Sequence, residues 1–124
     1  MSTEKQLEEM INKIEADMSG FIAASVVDLD SGMTLAARSA RSDFDLAVAS
    51  AYNSELVKQK LKIVKALNLR TNLEDMLLTL GDQLHLIKIF PGGQTFLYLA
   101  ADRGSTNLAI VRNSVTKHVA ALQH

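Results

Sequence analysis

Two runs of the chain are apolar or small on both alternating faces: Phe21 to Leu29 (Phe-Ile-Ala-Ala-Ser-Val-Val-Asp-Leu) and Thr95 to Ala101 (Thr-Phe-Leu-Tyr-Leu-Ala-Ala). A strand with one wet face alternates apolar with polar residues, so a run without that alternation must be covered on both sides. A chain with two such strands needs a sheet with helices above and below it. Leu7, Met10, Ile11, Ile14 and Met18 recur at helical spacing among charged residues until Gly20, which predicts an opening amphipathic helix. Ser42, three residues before Asp45, reads as a capping box with Asp in place of Glu and opens a long helix to about Leu67. Ser105 reads as the cap of a last helix whose stripe is Leu108, Val111, Val115, Val119 and Leu122.

The remaining strands fall between turn residues. Met33 to Arg38 returns from the turn Asp30-Ser31-Gly32. Leu73 to Leu80, Leu84 to Phe90 and Thr95 to Ala101 are separated by Gly81-Asp82-Gln83 and Pro91-Gly92-Gly93-Gln94, and form a meander. The predicted order is α-β-β-α-β-β-β-α, one α+β domain over residues 1–124 with no internal repeat. With the two doubly apolar runs central and hairpins fixing their neighbours, the five-stranded antiparallel sheet has the order 2-1-5-4-3, with helices on both faces.

At 124 residues the chain is long enough to bury about two thirds of its unfolded surface in one core. A net charge of -1 gives no field to attract phosphate backbones or anionic lipid, which argues against a nucleic-acid partner. The absence of cysteine removes disulfides, thiolate metal sites and a thiol nucleophile. The first ten residues carry neither a basic n-region nor an apolar h-region, and no apolar run approaches the roughly 20 residues that span a bilayer. A cytoplasmic protein without membrane insertion is the expectation.

Few residues are patterned for chemistry. Asp28-Leu29-Asp30 precedes a glycine, but a calcium loop counted from Asp28 would have Ser39 where its bidentate Glu belongs, so a hairpin turn is the better reading. His85, His118 and His124 include no pair at the helical spacing of a zinc site; His118 sits where it complements the negative end of the last helix. The glycines form neither a dinucleotide fingerprint nor a phosphate loop, and Asp102-Arg103-Gly104-Ser105 reads as a turn into a helix. No cofactor and no catalytic residue is expected.

Surfaces carry more information. The third strand lies at an edge of the predicted sheet, and its Glu74, Met76, Leu77, Leu78 and Leu80 include no proline or lysine to protect it. Pairing with a second copy is the simplest symmetric way to cover such an edge. Apolar residues of the long helix, among them Leu46, Ala49, Tyr52, Leu56, Ile63 and Leu67, spread over roughly half its circumference, wider than one packing contact requires. Ala49, Leu56 and Lys60, the last enclosed by Leu56, Val64 and Leu67, therefore join the third strand as the expected dimer interface. Lys58, Lys62 and Lys65 share one side of the helix, either a solvated face or a docking surface for an acidic protein.

Three stretches resemble the roadblock/dynein-light-chain domain family: Gly20 to Gly32, Leu80-Gly-Asp-Gln-Leu-His-Leu-Ile87, and Phe96-Leu-Tyr-Leu-Ala-Ala-Asp102 followed by Asn107-Leu-Ala-Ile-Val-Arg112. The resemblance spans residues 5 to 122. It implies a homodimer joined through the third strand and the long helix, with one sheet continuous across two chains. It also implies a non-enzymatic adaptor or regulator. Eukaryotic members sit in the dynein motor or on lysosomal scaffolds; bacterial ones accompany small Ras-like GTPases that dock across the paired long helices, and some stimulate hydrolysis without an arginine finger. The leading expectation is a homodimeric regulator or scaffold of a Ras-like GTPase that docks near Lys58, Lys62 and Lys65. The alternatives are a structural adaptor in a larger motor, motility or signalling complex and, below it, a small-molecule sensor with Ser25, His85 and Tyr98 as polar lining.

Overall fold

The computed structural model describes residues 2–122, so His124 lies outside the described residues. Helix α1 (Glu4–Ala16) is followed by strands β1 (Phe21–Asp28) and β2 (Thr34–Ser39), helix α2 (Leu46–Ala66), strands β3 (Asp75–Thr79), β4 (Gln83–Ile89) and β5 (Thr95–Asp102), and helix α3 (Leu108–Ala121). The strands form one antiparallel sheet in the order β2-β1-β5-β4-β3, as the sequence predicts. The central pair is β1 and β5, in register at Ser25 and Tyr98.

Helices cover both faces. α1 and α3 pack Leu7, Ile11, Ile14, Val111 and Val115 against Ala24, Val26, Leu86, Leu97 and Leu99. α2 lies on the other face, where Val57 meets Val27, Ile87, Phe96 and Tyr98. The inner row of α2 is narrow, with Ser50, Ser54 and Val57 its fully buried residues. Ser50 Oγ meets Ser25 Oγ at 2.8 Å, and Ser54 Oγ donates to the Leu29 carbonyl at 3.0 Å, so two small hydroxyls seat the helix on β1 with their polar groups satisfied.

The helix starts differ from the sequence expectation. Asp45, not Ser42, caps α2, accepting from Val48 N at 3.1 Å. Between them Phe44 turns its ring onto Tyr98 and His85, and the chain cannot coil until that anchor is past. Asn107, not Ser105, caps α3 by accepting from Ile110 N, because Ser105 Oγ is committed to Asp102 Oδ2 at 2.6 Å in the turn after β5. α1 carries a capping box that the apolar pattern alone did not mark: Thr3 Oγ1 accepts from Gln6 N, and Gln6 Oε1 accepts from Thr3 N.

Candidate partner-binding surface

β3 pairs with β4 from Asp75 opposite Lys88 to Thr79 opposite Leu84, and nothing pairs its other side among the described residues. The Glu74 carbonyl accepts from Ile89 N, and Leu80 N donates to the Gln83 carbonyl. Hydrogen-bonding direction alternates along an antiparallel strand, so Asp75, Leu77 and Thr79 aim their N–H and C=O groups outward. Met76 and Leu78 lie half-buried on the α2 face, whereas Leu77 packs with the opposite core. Asp75 accepts from Arg112 Nη2 at 3.1 Å, which ties the start of the edge to α3.

The other edge, β2, is of a different kind. Its residues are exposed except Ala36, a bulge interrupts its pairing at Val26/Val27, and Arg38 is held by Glu15 at 3.0 Å. Charge and a bulge are common protections for an edge. β3 has neither.

Helix α2 presents two surfaces besides its buried row. Val48, Tyr52 and Ile63 are 49%, 75% and 39% exposed and share the solvent-facing side with Leu56. Ala49 is half-buried and packs against the same core that takes Met76 and Leu78, while Lys60 is exposed. The second flank carries the lysines. Lys62 and Lys65 are exposed, but Lys58 is half-buried, donating to the Asp30 carbonyl at 3.1 Å with Glu55 at 3.8 Å. The three lysines therefore share a flank without equal freedom. Glu74 and Leu80 bracket β3, Leu80 exposed and Glu74 beside its first residue.

A polar cluster lies on the α2 face beside this surface. His85, opposite Leu78, has its Nδ1 3.2 Å from Tyr98 Oη and its Nε2 2.7 Å from Gln83 Oε1. Phe44 closes over both rings, stacked on Tyr98 and edge-on to His85. Burial pushes the His85 pKa down, with Asp82 opposing, and pushes Tyr98 up to about 12. Nothing in the sequence pattern marks Phe44, whose role depends on the path of the loop.

The polar residues considered for a small-molecule pocket are thus used within the protein, Ser25 by Ser50 and His85 by Tyr98 and Gln83. A cleft of about 610 Å³ opens elsewhere, at the end of the sheet, lined by Leu61, Val64, Leu73, Ile89, Phe90 and Val119 among others. His118 bonds Asp17 at 2.8 Å, at the junction of α1 with α3. Among the described residues no group of three or more His, Asp or Glu is placed to hold a metal ion, and no helix is long and apolar enough to cross a membrane.

No protein-family model matches the chain, and no curated protein does. Solved structures do. MglB of Myxococcus xanthus superposes with a TM-score of 0.85 at 12% identity, covering 98% of this chain and 88% of that one. The gliding protein MglB of Thermus thermophilus gives 0.82 at 15% identity, over 96% of this chain and 87% of its own. A Roadblock/LC7 domain of Streptomyces avermitilis gives 0.79 at 14% identity, over 94% and 93%. The chain has the roadblock fold.

Proposed function

We propose that this chain is a non-enzymatic homodimeric regulator or scaffold of a small Ras-like GTPase. The observation that carries the reading is the pairing of an unpaired strand edge with an over-exposed helix: three outward-directed residues on β3 beside an α2 whose outer side shows Val48, Tyr52, Leu56 and Ile63. Exposed apolar area of this kind marks protein contacts. In this reading β3 and the Ala49, Leu56 and Lys60 side of α2 meet a second copy, with Glu74 and Leu80 at the ends of the joint. The lysine flank then remains open, with Lys62 and Lys65 as the principal contacts for an acidic partner surface and Lys58 as a tethered neighbour. The likeness of fold to MglB supports the class of partner, and the motifs between Gly20 and Arg112 that resemble the roadblock family point the same way.

The test is co-purification. The tagged dimer is used to capture small GTPases from extract loaded with GDP or GTP, followed by GTP hydrolysis assays of the captured protein with and without this chain. Capture with altered hydrolysis supports a regulator. Capture without altered hydrolysis supports a scaffold, and the absence of any GTPase under both nucleotides favours the structural-adaptor alternative.

A further inference from the structure

We propose that Phe44, Tyr98, His85 and Gln83 form a proton-sensitive latch, which holds the entry to α2 on the sheet while His85 is neutral and releases it when the ring takes up a proton. The latch lies beyond the functional reading above and does not depend on it.

The polarity of the hydrogen bonds sets the direction of the switch. His85 lies diagonal to Tyr98 across β4 and β5, because its direct partner is Ala100. A neutral ring with its proton on Nε2 donates to Gln83 Oε1 and accepts the Tyr98 hydroxyl proton on Nδ1. Every proton in the cluster then has an acceptor. A second proton turns Nδ1 into a donor, so the Tyr98 oxygen must accept, and its own proton loses its acceptor. Asn53, the other polar group on Tyr98 Oη, acts on it as a donor, since it favours the ionised hydroxyl, and so does not replace the lost acceptor. Tyr98 is 1% exposed. A buried hydroxyl without a partner is a costly state.

The surroundings give little relief. His85 faces Gln83 from its own strand, Leu78 from β3, Tyr98 and Ala100 from β5, and Phe44 from the loop before α2. From α2, Asn53 acts on the Tyr98 hydroxyl while its amide donates to the Ala49 carbonyl. Asp82 is the charge acting on His85; it favours the proton, and burial outweighs it. The movable part is Phe44, directly before the Asp45 cap. Lifting its ring admits water to the orphaned hydroxyl and frees the first turn of α2, the helix that bears both the apolar outer side and the lysine flank.

The latch is tested by hydrogen exchange and imidazole NMR on the intact protein at about pH 7.5 and about pH 5, on either side of the ordinary histidine range. After correction for intrinsic exchange rates, amide protection at the start of α2 should fall by about tenfold or more at the lower pH. His85→Gln keeps an acceptor for Tyr98 but cannot titrate, and should abolish that fall. Tyr98→Phe removes the proton that would be orphaned, so the His85 titration should move up towards its ordinary range. Unchanged protection in the wild type, a fall that persists in His85→Gln, or a His85 titration unmoved by Tyr98→Phe would each overturn the latch.

Discussion

Ser25 Oγ and Ser50 Oγ stand 2.8 Å apart in the buried seam between β1 and α2, and the hydrogen between them belongs to Ser25. Ser50 spends its own proton on the Leu46 carbonyl at 2.8 Å, so it can only accept from Ser25. Ser25→Ala therefore leaves Ser50 bonded and should cost about 1 kcal/mol. Ser50→Leu forces a branched side chain into a contact made for a hydroxyl and strands the Ser25 proton, and should cost about 1–3 kcal/mol or more. Urea midpoints of the two variants give the comparison. A Ser50→Leu protein as stable as wild type would show that α2 is not seated by this pair.

Gly20 joins α1 to β1 at φ +81°, and a Cβ added there would lie 2.7 Å from Ser105 Cβ. Its carbonyl accepts from Asp102 N at 2.7 Å, so the backbone cannot easily withdraw. Gly20→Ala combines a strained dihedral with a side-chain collision and should destabilise by more than about 1 kcal/mol. Gly81→Ala, where φ is not positive and no atom lies within 4 Å, is the control and should change the urea midpoint little.

The difference between these two glycines shows which parts of the fold are legible in the sequence. Phe21 to Leu29 and Thr95 to Ala101 announce themselves because the interior of a strand covered on both faces carries no charge, Asp28 standing only at the end of β1. The hairpins then fix the strand order with few choices left. Helix starts are less legible, since Ser42, Ser105 and Thr3 look equally able to cap, and only tertiary contacts distinguish them: Phe44 anchored on Tyr98, and Ser105 held by Asp102. The breadth of α2 is visible as a wide apolar arc, but a hydropathy wheel gives no weight to Ser50 and Ser54, the residues that face the sheet. His85 and Tyr98 are 13 positions apart, and their contact follows only from the β4–β5 register.

Asp17 links the end of α1 to α3. Its Oδ2 accepts from Ser114 and from His118, each at 2.8 Å, with Lys117 at 3.4 Å. The Ser114 bond is the main reason its pKa falls from 3.8 to about 2, followed by His118. A carboxylate with a depressed folded-state pKa adds stability above its unfolded value, and that stability is lost as pH falls through the folded one. Asp17→Asn should thus be less stable than wild type near neutral pH, and the gap should narrow as pH falls from 3.8 to about 2. Thermal midpoints across an acid series would show it; a gap independent of pH would assign the loss to packing instead.

Lys62 and Lys65 are exposed, whereas Lys58 reaches the Asp30 carbonyl. Reversing both free charges, Lys62→Glu with Lys65→Glu, should leave stability within about 0.5 kcal/mol and slow association with an acidic partner by about tenfold at low salt. The effect should shrink as ionic strength rises and the Debye length shortens. Association rates by stopped flow with the captured partner would decide it, and equal rates for variant and wild type would move the docking surface off this flank.

The proposed self-pairing of β3 has one register that uses every free backbone group. Because Asp75, Leu77 and Thr79 point outward, a two-fold axis at Leu77 sets Leu77 against its own copy and Asp75 against Thr79 of the other chain. An axis at Met76 or Leu78 would leave one of the three residues unpaired. The Leu77 pair should stand about 5.5 Å apart at Cα, within disulfide range. The chain has no cysteine of its own, so Leu77→Cys should crosslink to a covalent dimer under mild oxidation, while Met76→Cys should need Leu78→Cys in the same chain. Leu78→Lys, which sets a charge in the half-buried joint, should shift the native mass towards monomer. A dimer by native mass that Leu77→Cys fails to crosslink would move the axis, and a Leu78→Lys protein still dimeric would move the interface away from β3.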